Sequence, residues 1–288
     1  MIAALVREAR PKQWLKNVLV FAAPAALGSV TGRLVRDAVL VFVAFCLTAS
    51  GTYFWNDVKD VDADRQHPRK KNRPVASGAI PLPVAMAVGT LLLVGGPALA
   101  FAVRAEAGGI VALYGVLTVG YSTVLKHVAV VDLAIVASGF VLRAMAGAAG
   151  TDTRMSTWFV LCTSFGSFFI VTGKRHAELA AMGDGATATR RSLAAYTLPF
   201  LKQVLGVSCT ATVVSYCLWA FENGENSATA VPWHALSIVP MVLALLRYLL
   251  LIERGEGESP EEIFTSDRAI QAYGALWLVV YALGVQAG

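Results

Sequence analysis

Long apolar runs broken by short charged clusters make up this chain, a pattern that fits neither a half-buried strand nor the one-sided stripe of a soluble helix. Crossing the hydrocarbon of a bilayer takes roughly 20 mostly apolar residues. On that measure nine spans are expected, over residues 14–30, 38–55, 82–103, 107–125, 128–149, 157–173, 198–221, 232–252 and 269–285, the first being the shortest. The expected fold is therefore an all-α integral membrane protein, a single polytopic domain over residues 1–288. Neither a soluble domain nor a low-complexity linker interrupts it. A charge-rich segment follows a span in each half of the chain, at 56–78 and again at 173–191.

Charge orients these spans. Arg33, Arg36, Arg104 and Arg154 fall on one set of loops and Arg143 lies inside a span; the other Lys and Arg are on the N-terminal tail, on the alternate loops or within the span ends next to them. Under the positive-inside rule the N-terminus is cytoplasmic, as are the loops after the second, fourth, sixth and eighth spans. The expected location is the inner cell membrane. The formal net charge of +5 follows from this loop bias, so anionic lipid headgroups are the expected neighbours and nucleic acid is not. The basic N-terminus lacks a small-residue cleavage site, so the first run is expected to be retained and the mature protein to begin near Met1. Cys46, Cys162, Cys209 and Cys217 all fall in spans without CxxC spacing, which argues for packing residues rather than disulfides or metal clusters. Small residues in the spans permit contacts between copies of the chain, so a homo-oligomer is open.

The second span runs into Asn56-Asp57-Val58-Lys59-Asp60-Val61-Asp62-Ala63-Asp64, and a basic run from Arg65 to Arg73 follows it. If the helix continues to Pro68, Asp57, Asp60 and Asp64 fall within about 60° of one another, with Asn56 at the edge of that sector. Asp62 points elsewhere. Clustered carboxylates repel one another unless a cation sits among them, and their hard oxygens suit Mg²⁺, which is commonly shared between one or two carboxylates and substrate phosphates. Arg65, Lys71 and Arg73 supply cations to grip the rest of a phosphorylated ligand.

Other polar residues gather on the same expected side: Gln13, Lys16 and Asn17 at the start of the first span, Tyr121 and Lys126 after the fourth, and Lys174, Arg175 and Glu178 after the sixth. Each alone suits a membrane-interface anchor; together they ring the aspartates. Asp132 and Arg143 lie inside the fifth span, eleven residues and about three turns apart on one face. Buried charge there needs a cavity or a partner. Asp132 is placed to line the site, and Arg143 either lines it or pairs structurally.

The motif Asn-Asp-x-x-Asp-x-x-x-Asp, the stretch Arg73–Gly78 and Tyr121-Ser122-x-x-Leu125-Lys126 resemble the UbiA superfamily of intramembrane prenyltransferases, over essentially the whole chain. The resemblance implies nine helices around a central cavity capped on the cytoplasmic side, with Asn56, Asp57, Asp60 and Asp64 holding Mg²⁺ and a diphosphate. Where most of that superfamily carries a second Asp-x-x-x-Asp motif, this chain has Gly173-Lys174-Arg175-His176-Ala177-Glu178-Leu179, with Arg190 and Arg191 beyond. A basic half-site suits an additional phosphate group rather than a second metal.

Three stretches, 10–17, 64–68 and 174–179, look like the actinobacterial branch that makes decaprenylphosphoryl-5-phosphoribose. That likeness implies phosphoribosyl diphosphate (PRPP) as donor, a polyprenyl monophosphate as acceptor and a product for cell-wall arabinan synthesis. It makes Lys174 and Arg175, with Arg190 or Arg191, the candidates for the 5-phosphate, and leaves Lys16, Lys126 and Arg73 open between the acceptor phosphate and the diphosphate. The rival readings are a prenyltransferase using a prenyl diphosphate and an aromatic acceptor, an ion-coupled transporter and a structural scaffold. The basic second segment speaks against the first. The position of the aspartates at the membrane edge speaks against the second, because transporter sites lie near the midplane. A scaffold predicts that Asp60→Asn and Asp64→Asn leave function intact.

Overall fold

The computed structural model describes residues 1–27, 31–68, 70–182, 193–224, 230–257 and 260–287. It is helical: α1 Ile2–Glu8, α2 Gly32–Lys59, α3 Val61–Gln66, α4 Leu82–Val103, α5 Ala105–Thr123, α6 Val131–Gly150, α7 Thr157–Met182, α8 Leu198–Gly224, α9 Trp233–Leu236, α10 Ile238–Glu253, α11 Pro260–Ser266 and α12 Arg268–Ala287. Every expected span after the first falls on α-helix. Six stretches among the described residues are long and apolar enough to cross a membrane: α2, α4, α6, α8, α9 with α10, and α12. The helices α5 and α7 fall short of that measure because Glu106 in α5 and Lys174 in α7, with Gly, Ser and Thr in both, dilute their apolar residues.

The first expected span is corrected. Instead of a continuous α-helix it forms 3-10 turns over Pro11–Phe21 and Pro24–Leu27. The reason is tertiary: Asn17 is drawn inward to Cys46 Sγ at 3.2 Å, and a Cβ on Gly147 would lie 1.8 Å from the Val20 carbonyl oxygen. The segment lies flush against its neighbours, and the gain from that contact outweighs the better hydrogen-bond geometry of an α-helix.

Contacts divide the chain into two compact units, Met1–Thr123 with Leu142–Arg154, and Val124–Val141 with Met155–Gly288. In the first, α2 packs along α4 and α5. Close approach is possible because Gly51, Gly89 and Gly96 stand at the crossing; a Cβ on Gly51 would meet the Leu93 nitrogen at 2.6 Å. Its core is built on Val20, Val41, Phe45, Tyr114, Leu142 and Ala146. A second apolar cluster, Phe54, Val61, Val75, Ile80 and Ala85 with Ala4 and Leu5 packed on it, ties α1, the end of α2, α3 and the following loop together.

In the second unit α7 packs on α8, and α10 on α12. Phe169, Leu205, Tyr248, Leu251 and Ile252 form one core cluster, and Leu133, Ala137, Val171, Tyr196 and Leu201 another. Apolar side chains also face outward on these long helices, Val207 on α8 being 69% exposed, the arrangement expected where lipid replaces water.

Candidate active site

The expected continuous helix through Asp57, Asp60 and Asp64 is broken. The helix α2 stops at Lys59, Asp60 takes φ −93° and ψ 10°, and α3 restarts at Val61. Asp57 and Asp64 nevertheless converge on a shared arginine. The Arg73 guanidinium donates to Asp57 Oδ1 at 3.0 Å and to Asp64 Oδ2 at 2.7 Å. Both aspartates are 2% exposed. Lys70 Nζ lies 3.8 Å from Asp64 Oδ1. Asp60 is half-buried, and Asp62 faces outward and pairs with Arg65 at 3.3 Å.

Arg73 is placed by its loop. Ser77 N–H donates to the Arg73 carbonyl at 2.9 Å and Ile80 N–H to the Pro74 carbonyl at 3.0 Å. Arg65 Nε reaches the Ala76 carbonyl at 3.3 Å, and buried Val75 and Ile80 anchor the segment. The turn closes at Gly78, whose φ of 79° suits glycine. Lys59 Nζ caps the end of α5 by donating to the Ser122 carbonyl at 3.1 Å. Tyr121 precedes that carbonyl and is half-buried. Lys71 is exposed and Asn56 half-buried, and the Asn56 carbonyl accepts from Asp60 N–H at 2.9 Å.

Two N-terminal residues absent from the sequence-based set complete this cluster. Arg10 Nη2 lies 2.6 Å from Asp57 Oδ1 and stacks over the Tyr53 ring at 4.8 Å. Its backbone adopts φ 52°, a costly conformation for a non-glycine residue and one found at functional sites. Glu8 is 1% exposed. Burial, then a hydrogen bond with the Asp57 carboxyl and the charge of Asp57, push its carboxyl up to about 8, while Arg10 and Arg73 pull the other way. The one sequence signal for Arg10 was its place at the head of the 10–17 stretch. Glu8 carried none.

Gln13 and Lys16 are half-buried on the 3-10 segment. Asn17 is buried in a different cluster of the same unit: Arg143 Nε donates to Asn17 Oδ1 at 2.7 Å and its Nη2 to the Tyr114 hydroxyl at 3.0 Å. The Arg143 guanidinium also lies 4.7 Å from the Tyr114 ring centroid. Polar and aromatic partners thus satisfy this intramembrane charge.

The second unit gathers Asp132, Arg175 and Glu178. Asp132 is 0% exposed; Arg175 Nε donates to its Oδ2 at 3.3 Å, and Arg175 Nη1 to Glu178 Oε2 at 2.7 Å. Tyr196, another residue not anticipated, donates its hydroxyl hydrogen to Asp132 Oδ1 and accepts from Val130 N–H. Lys126 and Lys174 are half-buried. Arg190 and Arg191 lie outside the described residues. Asp132 and Arg143, expected on one helical face, serve different clusters.

No group of three or more His, Cys, Asp or Glu side chains among the described residues is close enough to hold a metal alone. Mg²⁺ asks for less, one or two carboxylates with waters and substrate phosphates. Asp57 meets that need: Oδ1 is engaged by the arginines, whereas Oδ2 is buried with no hydrogen-bond partner. The donor set therefore fits a Mg²⁺ that draws most of its ligands from phosphate and water.

The model of the UbiA prenyltransferase family matches residues 17–280. Decaprenyl-phosphate phosphoribosyltransferase of Corynebacterium glutamicum is 38% identical, the match covering 98% of this chain and 86% of that protein. The Mycobacterium tuberculosis protein of the same name is 39% identical, over 100% of this chain and 96% of its own. Among solved structures, a UbiA homolog from Archaeoglobus fulgidus bound to DMAPP and Mg²⁺ superposes with a TM-score of 0.74 at 18% identity, covering 98% of each chain. With the matched model spanning most of the sequence and these relatives aligned along nearly all of it, the chain belongs to the UbiA prenyltransferase family.

Proposed function

We propose that this protein transfers 5-phosphoribose from PRPP to a polyprenyl monophosphate of the decaprenyl type and releases diphosphate, with Mg²⁺ as cofactor and the site facing the cytoplasm. The observation that carries this reading is the alternation of sign in the buried cluster of Asp57, Arg10, Arg73 and Asp64. It sets a cation-binding oxygen beside two guanidinium groups of the kind that grip phosphate. The name shared by the relatives that align along nearly the whole chain supports the substrate pair, and the orientation rests on the positive-inside bias of the loops.

The reaction breaks the bond between the anomeric carbon and the diphosphate oxygen and forms one to an oxygen of the lipid phosphate. That nucleophile is already an anion, so no strong general base is required. Positioning and electrostatic stabilisation are the main demands on the chain. Asp57 and Asp64, assisted by Asn56 and Asp60, would hold the metal, which would supply positive charge to the departing diphosphate. Arg10 and Arg73 donate to phosphate oxygens and offset the mutual repulsion of the aspartates. Lys174 is the candidate cation for the 5-phosphate. Arg175, engaged by Asp132 and Glu178, supports the helix that carries it. Lys16 and Lys126 are left to the acceptor phosphate.

The test is transfer of radiolabel from PRPP, which does not cross membranes, to decaprenyl phosphate in sealed vesicles of both orientations, with and without Mg²⁺. Label is expected in the lipid fraction of inside-out vesicles alone, dependent on Mg²⁺ and lost by about a hundredfold or more in Asp57→Asn, as for removal of a principal electrostatic contact. Folded protein that makes no labelled lipid would return prenyl diphosphate donors to the front. Equal labelling in right-side-out vesicles would reverse the orientation.

A further inference from the structure

Glu8 ends a seven-residue helix at the start of the chain and is nonetheless buried. Its Oε1 has no hydrogen-bond partner, and neither has Asp57 Oδ2; both atoms are shielded from solvent. Glu8 stands two residues before Arg10, whose guanidinium bonds Asp57 Oδ1 at 2.6 Å, which brings the end of α1 to Asp57, and the charge of Asp57 acts on the Glu8 carboxyl. Arg10 and Arg73 both bond Asp57 through Oδ1 and so leave Oδ2 unsatisfied. Buried carboxyl oxygens without donors are costly, and carboxylate oxygens in proximity call for something positive between them.

We propose that Glu8 is a further ligand of the divalent cation bound at Asp57. The inference rests on the metal reading of the aspartate site and extends it to a residue outside the Asn56–Asp64 motif. Glu8 and Asp57 bring two hard carboxylates from separate elements, α1 and α2, which is the number Mg²⁺ commonly takes from protein before phosphate and water complete its shell. Binding therefore fastens α1 to the end of α2, next to the apolar contacts of Ala4 and Leu5. The metal stabilises the N-terminal helix as well as the diphosphate site.

Mn²⁺ serves as the probe, on the full chain in detergent micelles. Free Mn²⁺ is followed by electron paramagnetic resonance, and thermal unfolding is recorded with and without the ion. For Glu8→Gln, affinity is expected to fall by about tenfold or more, the scale of a lost metal-site group. The Mn²⁺-induced rise in Tm should shrink with it. The metal-free variant should unfold no earlier than the parent, because the amide can donate to Asp57. A residue with a merely structural role would instead lower the metal-free Tm and leave affinity alone. Glu8→Ala, which leaves room for water, gives the same reading should the amide disturb packing. A smaller loss of affinity in these variants, with Asp57→Asn still weakening Mn²⁺, would overturn the role of Glu8 and keep the aspartate site. Affinity unchanged in all three would overturn the metal reading itself.

Discussion

Arg10 and Val130 both hold positive φ without being glycine, at 52° and 68°, and in each a polar contact secures the backbone. Arg10 is tied to Asp57; Val130 N–H donates to the Tyr196 hydroxyl, which in turn donates to Asp132. A left-handed conformation costs on the order of 1–2 kcal/mol for an ordinary side chain, and more for a β-branched one. Val130 is 48% exposed, so its side chain returns little by packing. Val130→Asn keeps the N–H and tolerates φ > 0, and it is expected to raise stability by about 1 kcal/mol. Thermal unfolding in detergent checks this, and an unchanged or lower Tm would show that the site carries no strain. The aspartates were legible at this scale because their spacing is local. Glu8, Arg10 and Tyr196 were not, because their partners stand far off in sequence, 47 residues away for Arg10 and 64 for Tyr196.

At the scale of elements, apolar run length located the helices well, because a span must satisfy its backbone internally whatever surrounds it. It misjudged their ends. The helix is interrupted at Asp60, between α2 and α3, and a residue of the following loop, Arg73, joins Asp57 and Asp64 through one guanidinium. Helix contacts give a paired test in α4. A Cβ on Gly96 would meet Thr48 Oγ1 at 2.1 Å and the Ala44 carbonyl oxygen at 2.5 Å, whereas one on Gly95 would meet nothing within 4 Å. Gly96→Ala should therefore force α4 from α2 and lower stability by about 1–3 kcal/mol. Gly95→Ala should be neutral or stabilising by up to about 1 kcal/mol, through helix propensity. Parallel thermal melts decide it; equal effects at the two positions would mean that the α2 and α4 backbones are not in such close contact.

At the scale of the molecule, stability should depend on pH through the end of α7. His176 is buried with neither ring nitrogen hydrogen-bonded, and burial lowers its pKa below the ordinary 6.5, with Glu253 opposing and Lys202 assisting. A group that binds its proton less readily when folded contributes stability above its unfolded pKa and loses it as pH falls through the folded one. The unfolding free energy, and the Tm with it, is therefore expected to drop below about pH 6.5, the free energy with a slope of at most about 1.4 kcal/mol per pH unit from one proton. His176→Leu should flatten that drop; an identical pH profile in the variant would assign the acid sensitivity to other groups.

By itself the sequence determined that the chain is a helical membrane protein, which family it resembles, and that a carboxylate-rich segment meets a basic one. Run length, charge bias and motif spacing are local quantities, and hydrocarbon solvation enforces them residue by residue. Tertiary structure alone decided which charges meet. It placed Glu8 and Arg10 on Asp57, bound Arg175 between Asp132 and Glu178, set Arg143 against Asn17 and Tyr114, and wound the first apolar run into 3-10 turns. The physical reason is that a charge out of water is stable only beside a partner with suitable geometry. Which partner comes within reach depends on how helices distant in sequence pack, and periodicity within one helix does not encode that.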